Sequence, residues 1–91
     1  MQVESKYRSA EKEMTEEYAL VEAAKADISK FASLYNKYYE RIFRFIHTRL
    51  DDKELAFDTA SQVFLKAMLN LQKYEFKGAP FSSWLYRIAG N

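Results

Sequence analysis

One proline and two glycines interrupt the 91 residues of this chain, and Pro80 and Gly78 fall together in one short loop. Elsewhere the backbone is free to stay helical, because Pro and Gly are the residues that most strongly end regular structure. Period-two alternation of apolar and polar residues, the mark of a half-buried strand, never persists. The chain is therefore expected to be all-α, a small bundle of three to four main helices. Its length suits one domain, large enough for a core but with little surplus stability.

Met1 to Met14 is charged with scattered apolar residues and reads as either a frayed helix or a disordered leader. Thr15, followed by Glu16 and Glu17, marks a helix start with acids in its first turn. Leu20, Val21, Ala23 and Ala24 give that helix an apolar side, and it is expected to end near Ala26. Asp27 is placed to cap a long second helix, in which Ile28, Phe31, Tyr35, Tyr38, Ile42, Phe45 and Arg49 advance by threes and fours. Asp51-Asp-Lys-Glu54 resembles a capping box opening a third helix, from about Asp52 to Lys73. The short turn between the two predicts an antiparallel hairpin.

The third helix carries two apolar stripes. Ala56, Ala60, Val63 and Ala67 form a narrow one that permits close approach of a neighbour, and Phe57, Phe64, Met68 and Leu71 form a bulkier one beside it. A helix apolar over so wide an arc is either central to its own domain or shared with a partner protein. Beyond the Gly78–Pro80 loop, Ser82 or Ser83 is placed to cap a fourth helix through Trp84, Leu85 and Ile88.

Several function classes are not supported. Cysteine is absent, which removes disulfides and thiolate metal sites. His47, the one histidine, has no serine or carboxylate at a spacing that would assemble a triad. Asp51, Asp52, Glu54 and Asp58 gather where a helix N-terminus collects acids without any ion. No glycine-rich phosphate loop occurs. No enzyme, cofactor or metal is expected. No apolar run suits a signal peptide or a bilayer span, so no membrane insertion and a cytoplasmic location are expected.

The formal net charge of +1 hides an asymmetry: residues 1 to 27 balance to −3 and residues 28 to 91 to +4. The body is mildly cationic, compatible with a nucleic-acid partner but too weakly basic to bind by charge alone. Tyr74, Phe76, Phe81, Trp84 and Tyr86 crowd around the Gly78–Pro80 loop with Lys77 and Arg87. Such a loop suits unstacked bases, rings offering stacking faces while Lys and Arg hold phosphates. The alternative is a turn whose rings fill a small core.

Three pieces in order carry a family resemblance. Phe31-Ala-Ser-Leu-Tyr-Asn-Lys-Tyr-Tyr-Glu-Arg-Ile-Phe-Arg-Phe-Ile46 resembles the opening helix of region 2 of the extracytoplasmic-function (ECF) sigma factors, the promoter-recognition subunits of bacterial RNA polymerase. Ala56-Phe-Asp58 and Val63-Phe-Leu-Lys-Ala67 resemble its core helix, and Phe81-Ser-Ser-Trp-Leu-Tyr-Arg-Ile-Ala-Gly-Asn91 its closing motif. The resemblance implies a sigma region 2-like bundle over residues 15–91 with a base-capturing loop before the last helix. It also implies docking on the clamp helices of core RNA polymerase through Asp58, Ser61, Gln62, Leu65 and Leu69. Promoter DNA, as the non-template strand of the minus-ten element, would be melted and captured by Lys77, Gly78, Ser82, Ser83, Tyr86, Arg87 and Asn91. Glu75 to Pro80 would form the pocket, with Gly78 allowing close backbone approach. Trp84, Leu85 and Ile88 would anchor the fourth helix, with Phe81 in either role.

An anti-sigma factor is a further partner that the resemblance admits. Ser61 and Gln62 stand where the family usually has Gln and Glu, Met68 replaces a common aromatic, and Gly90 a usually basic residue. The family's last helix leads on to a region 4 helix-turn-helix domain that is absent from this chain, which implies an isolated region 2 fragment. The competing reading is a helical protein-protein interaction module without a DNA role, docking through the apolar face of the third helix.

Overall fold

The computed structural model describes residues 2–90, with side chains described from residue 11 onward. Four α-helices make up the bundle: α1 (Gln2–Ala26), α2 (Phe31–His47), α3 (Lys53–Leu69) and α4 (Phe81–Gly90). Short 3-10 turns at Ile28–Lys30 and Leu71–Lys73 join α1 to α2 and close α3. No strand occurs among the described residues, as the missing alternation required.

α1 is one helix from Gln2, so Thr15 is not a helix start. It sits mid-helix, where its hydroxyl donates back to the Glu11 carbonyl at 2.8 Å, a bond that serine and threonine make inside helices. The expected long second helix is divided. Asp27 caps, as its acceptor chemistry predicted, taking bonds from Ser29 N at 3.1 Å and Ser29 Oγ at 2.7 Å. What it caps is the 3-10 turn, and α2 proper begins at Phe31. The two Ser29 bonds, side chain first and backbone second, hold the Asp27 carboxyl below its ordinary value.

The buried row of α2 is Phe31, Leu34, Tyr38, Ile42 and Ile46, not the predicted row. Ile28 and Tyr35 are exposed and Phe45 is half-buried. The expected row meets the core at Phe31, Tyr38 and Ile42 and leaves it at its other positions. Asp52 is the cap of α3, its carboxylate accepting from Leu55 N at 3.1 Å. The box is therefore shifted one residue from Asp51.

The narrow stripe of α3 holds fully: Ala56, Ala60, Val63 and Ala67 are all buried. In the bulkier stripe Phe64 and Leu71 are buried, whereas Phe57 is exposed and Met68 half-buried. Rings along α2 pack over this seam, with Tyr35 4.9 Å from Phe64 and Phe43 4.5 Å from Phe57 between centroids. α4 packs against both α3 and α2, with Phe81 and Leu85 buried and Trp84 and Ile88 half-buried. Phe81 belongs to the core rather than to the loop surface.

Candidate nucleic-acid interface

The loop between the second 3-10 turn and α4 spans residues 74–80. Tyr74 enters it buried, its ring 5.0 Å from Phe81 and 5.1 Å from Trp84. Gly78 adopts φ +87°, a left-handed conformation that costs a side-chain-bearing residue about 1–2 kcal/mol. A Cβ there would meet nothing within 4 Å. Glycine is favoured at this position by the turn itself.

Neither Ser82 nor Ser83 caps α4. The amide of Phe81 donates instead to the carboxylate of Glu17, and the Tyr38 hydroxyl donates to the other oxygen of the same group. Glu17 is the one buried charged residue among those described. A buried carboxylate survives only when its lone pairs are filled, and here α2 and α4 fill them. Burial first, and then the bond to Glu17, push the Tyr38 phenol far above its ordinary value. Tyr74 is raised as well, by burial and then by the Glu17 charge.

α1 reaches the loop at further points. Lys25 Nζ donates to the Tyr74 carbonyl at 2.6 Å, and Gln72 Nε2 donates to the Lys25 carbonyl at 2.8 Å. Tyr18 meets Phe76 edge-on at 6.1 Å.

Between this loop and α4 opens a cavity of about 180 Å³, walled by Tyr74, Trp84 and Pro80 and rimmed by Lys73, Lys77, Arg87, Ser83 and Glu75. Pro80, Ser83, Trp84 and Arg87 recur at three and four residues, one face of a helix. Three cations against one carboxylate make the rim electropositive. The cavity's volume is comparable to the roughly 150 Å³ of an apolar cavity that takes a benzene-sized ring, but this one is open to solvent and its lining is more polar than apolar.

Of the residues expected at a DNA site, Lys77, Ser83 and Arg87 come together around this cavity. Ser82 and Tyr86 lie one row over on α4, Tyr86 packed edge-on against Phe45 at 5.0 Å. Gly78 shapes the loop without lining the cavity, and Asn91 lies outside the described residues. Sequence reasoning missed Lys73 and the Trp84 ring as cavity lining, and Glu17 and Lys25 as supports. Glu17 had a legible signal, since it shares a helix face with Val21 and Ala24, where a carboxylate is out of place.

A second surface lies elsewhere. Asp58, Ser61, Gln62, Leu65 and Leu69 are all exposed on α3, with Leu65 50% and Leu69 70% accessible. At 3.6 residues per turn they share an arc of roughly 100° directly opposite the alanine stripe. Leu55, 49% exposed, extends the row by a turn and was not anticipated.

No described helix is long and apolar enough to cross a membrane. Among the described residues no group of three His, Cys, Asp or Glu side chains is placed to hold a metal ion.

The family described as Sigma-70 region 2 matches residues 34–91. Two curated relatives are similar over most of the chain. The ECF RNA polymerase sigma factor BldN of Streptomyces coelicolor is 36% identical over 73 residues, covering 79% of this chain and 28% of the relative. The ECF RNA polymerase sigma factor SigW of Bacillus subtilis is 30% identical over 79 residues, covering 87% of this chain and 42% of the relative. The chain thus spans less than half the length of either. No solved structure gives a significant match.

Proposed function

This chain belongs to the sigma-70 region 2 family, as an ECF sigma factor region 2 domain, and from that membership we propose that it serves transcription initiation through two separate surfaces. The outer face of α3 docks on the clamp helices of core RNA polymerase. The cavity before α4 captures an unstacked base of the minus-ten non-template strand. The observation that carries the second role is the cavity itself, a ring-sized space with Tyr74 and Trp84 in its wall and Lys73, Lys77 and Arg87 at its rim.

Magnitudes favour this division. Flipping a base costs a few kcal/mol, and a stacked base returns roughly 1–3 kcal/mol. One cavity on a weakly charged domain therefore does not hold a melted strand unaided, and polymerase supplies the remaining affinity. The N-terminus of α4, an anion site in most helices, is already filled by Glu17. Phosphate contacts consequently fall to the flexible cations at the rim, which hold a backbone without reading it. On the docking face, three half-exposed or more exposed leucines flank Asp58 and Gln62. Full burial of one such leucine contributes about 1.5–3 kcal/mol. The reading assigns no bond-making step to the domain.

The test is binding to core RNA polymerase, wild type against a chain carrying Asp58→Ala and Leu65→Ala, with retention of a single-stranded minus-ten oligonucleotide followed in the same assay. Polymerase binding lost in the double variant, and retention lost in a Lys77→Ala, Arg87→Ala chain that still docks, is the expected result. Docking without any oligonucleotide retention by the wild type would leave a helical interaction module with no DNA role.

A further inference from the structure

We propose that α1 is a splint for base capture, with Glu17 and Lys25 as positioning residues that pin the two ends of the Tyr74–Phe81 loop and so hold the cavity open. The proposal rests on the base-capture reading of that cavity. Glu17 holds the loop's last residue through the Phe81 amide, and Lys25 holds its first through the Tyr74 carbonyl. Both bonds end on backbone atoms, so they fix the path of the chain and not merely a side chain. Gln72 and Phe76 add contacts back to Lys25 and Tyr18.

The spacing explains the cavity. Glu17 and Lys25 are eight residues apart on α1, about 12 Å along its axis at 1.5 Å per residue. The seven peptide steps from Tyr74 to Phe81 could reach roughly 24 Å if extended. Tied to α1 at both ends, with the Tyr74 and Phe81 rings 5.0 Å apart, the loop does not run straight, and Gly78 with its left-handed φ supplies a bend. The bent loop and α4 then enclose the cavity between them.

Pro80, which precedes α4, has no side-chain acceptor, and Ser82 and Ser83 lie inside the first turn, past the amide in question. The Phe81 amide is served from α1 instead, 64 positions away in the chain. Lys25 is likewise spent on the Tyr74 carbonyl and on Glu22, 3.7 Å away, and not on the cavity rim. The two side chains thus contribute to nucleic-acid binding without touching the strand.

The experiment uses polymerase loaded with the full chain and a set of single-stranded minus-ten oligonucleotides, each with one abasic position. The wild type should show one position whose abasic form is retained roughly tenfold less well, the order expected for one lost base stack. Glu17→Ala and Lys25→Met should dock on polymerase as the wild type does, yet bind the intact strand no better than the abasic one. Glu17→Gln, which keeps an acceptor oxygen for the Phe81 amide, should restore the difference. Should Glu17→Ala fail to fold, Lys25→Met carries the test, because it keeps the packed stem and removes only the amine. Variants that keep the wild-type ratio overturn the splint alone. A wild type with no abasic-sensitive position overturns the base-capture reading, and the splint with it.

Discussion

The outer face of α3 and the cavity before α4 are built in opposite ways. The face belongs to a single helix: its residues recur at three and four positions, point away from the alanine stripe, and need only α3 to be helical. The cavity belongs to no single element. Its walls come from the second 3-10 turn, the loop and α4, and its frame comes from α1 through Glu17 and Lys25. A surface of the first kind should tolerate substitution without loss of fold. One of the second kind couples binding to stability.

The sharpest break between the two should come from Glu17. Glu17→Ala leaves the Tyr38 hydroxyl and the Phe81 amide without their partner, and each unsatisfied buried group costs about 1–3 kcal/mol. Urea denaturation should show a loss of roughly 2–6 kcal/mol. Leu65→Ala with Asp58→Ala should do the reverse. Unfolding free energy should stay within about 0.5 kcal/mol of wild type, as for most surface changes, while polymerase affinity falls by about 100-fold, the scale of a lost hot spot.

Legibility from sequence divides along the same line. The alanine stripe of α3 and the capping aspartate at 27 were readable, and the cap of α3 to within one residue, because periodicity and cap chemistry are local; the outward row of α3 came from the family resemblance. The α2 row drifted because Ile28 fits the helical spacing equally well but lies in a 3-10 turn before Phe31. Thr15 imitated a cap, since hydroxyls bond the backbone inside helices as well as at their ends. Ser82 and Ser83 imitated another, but α4 already begins at Phe81 and both lie inside its first turn. Trp84, expected as an anchor, is both anchor and wall, because at a helix boundary one ring faces the core and the solvent gap together.

Smaller effects refine the comparison. Gly78→Ala should cost about 1–2 kcal/mol through its φ of +87°, and an equal substitution at Gly90, which lacks a left-handed φ, should cost none of that strain. Lys73→Ala should lower the salt dependence of oligonucleotide binding, its log-log slope changing by about 0.7 per phosphate contact removed from a single strand. Substitution of Leu69 on α3 should leave that slope untouched.

The smallest effect concerns pH. The Tyr38 phenol titrates higher in the folded chain than its ordinary value of 10.0, so the folded state keeps a proton that the unfolded state loses. Its contribution is complete below about pH 10 and is lost as pH rises above it. Tyr38→Phe should therefore flatten the alkaline limb of a stability-pH curve, while Tyr39 and Tyr74, also raised by burial, preserve part of the slope.

The chain has one tryptophan, and it stands in the cavity wall, so Trp84 emission reports base capture directly. Titration with a single-stranded minus-ten oligonucleotide should quench it saturably, whereas a fully paired duplex of the same sequence should quench far less and the Lys77→Ala, Arg87→Ala chain should respond weakly. Emission unchanged at saturating single strand, or quenched equally by the duplex, would contradict base capture in this cavity.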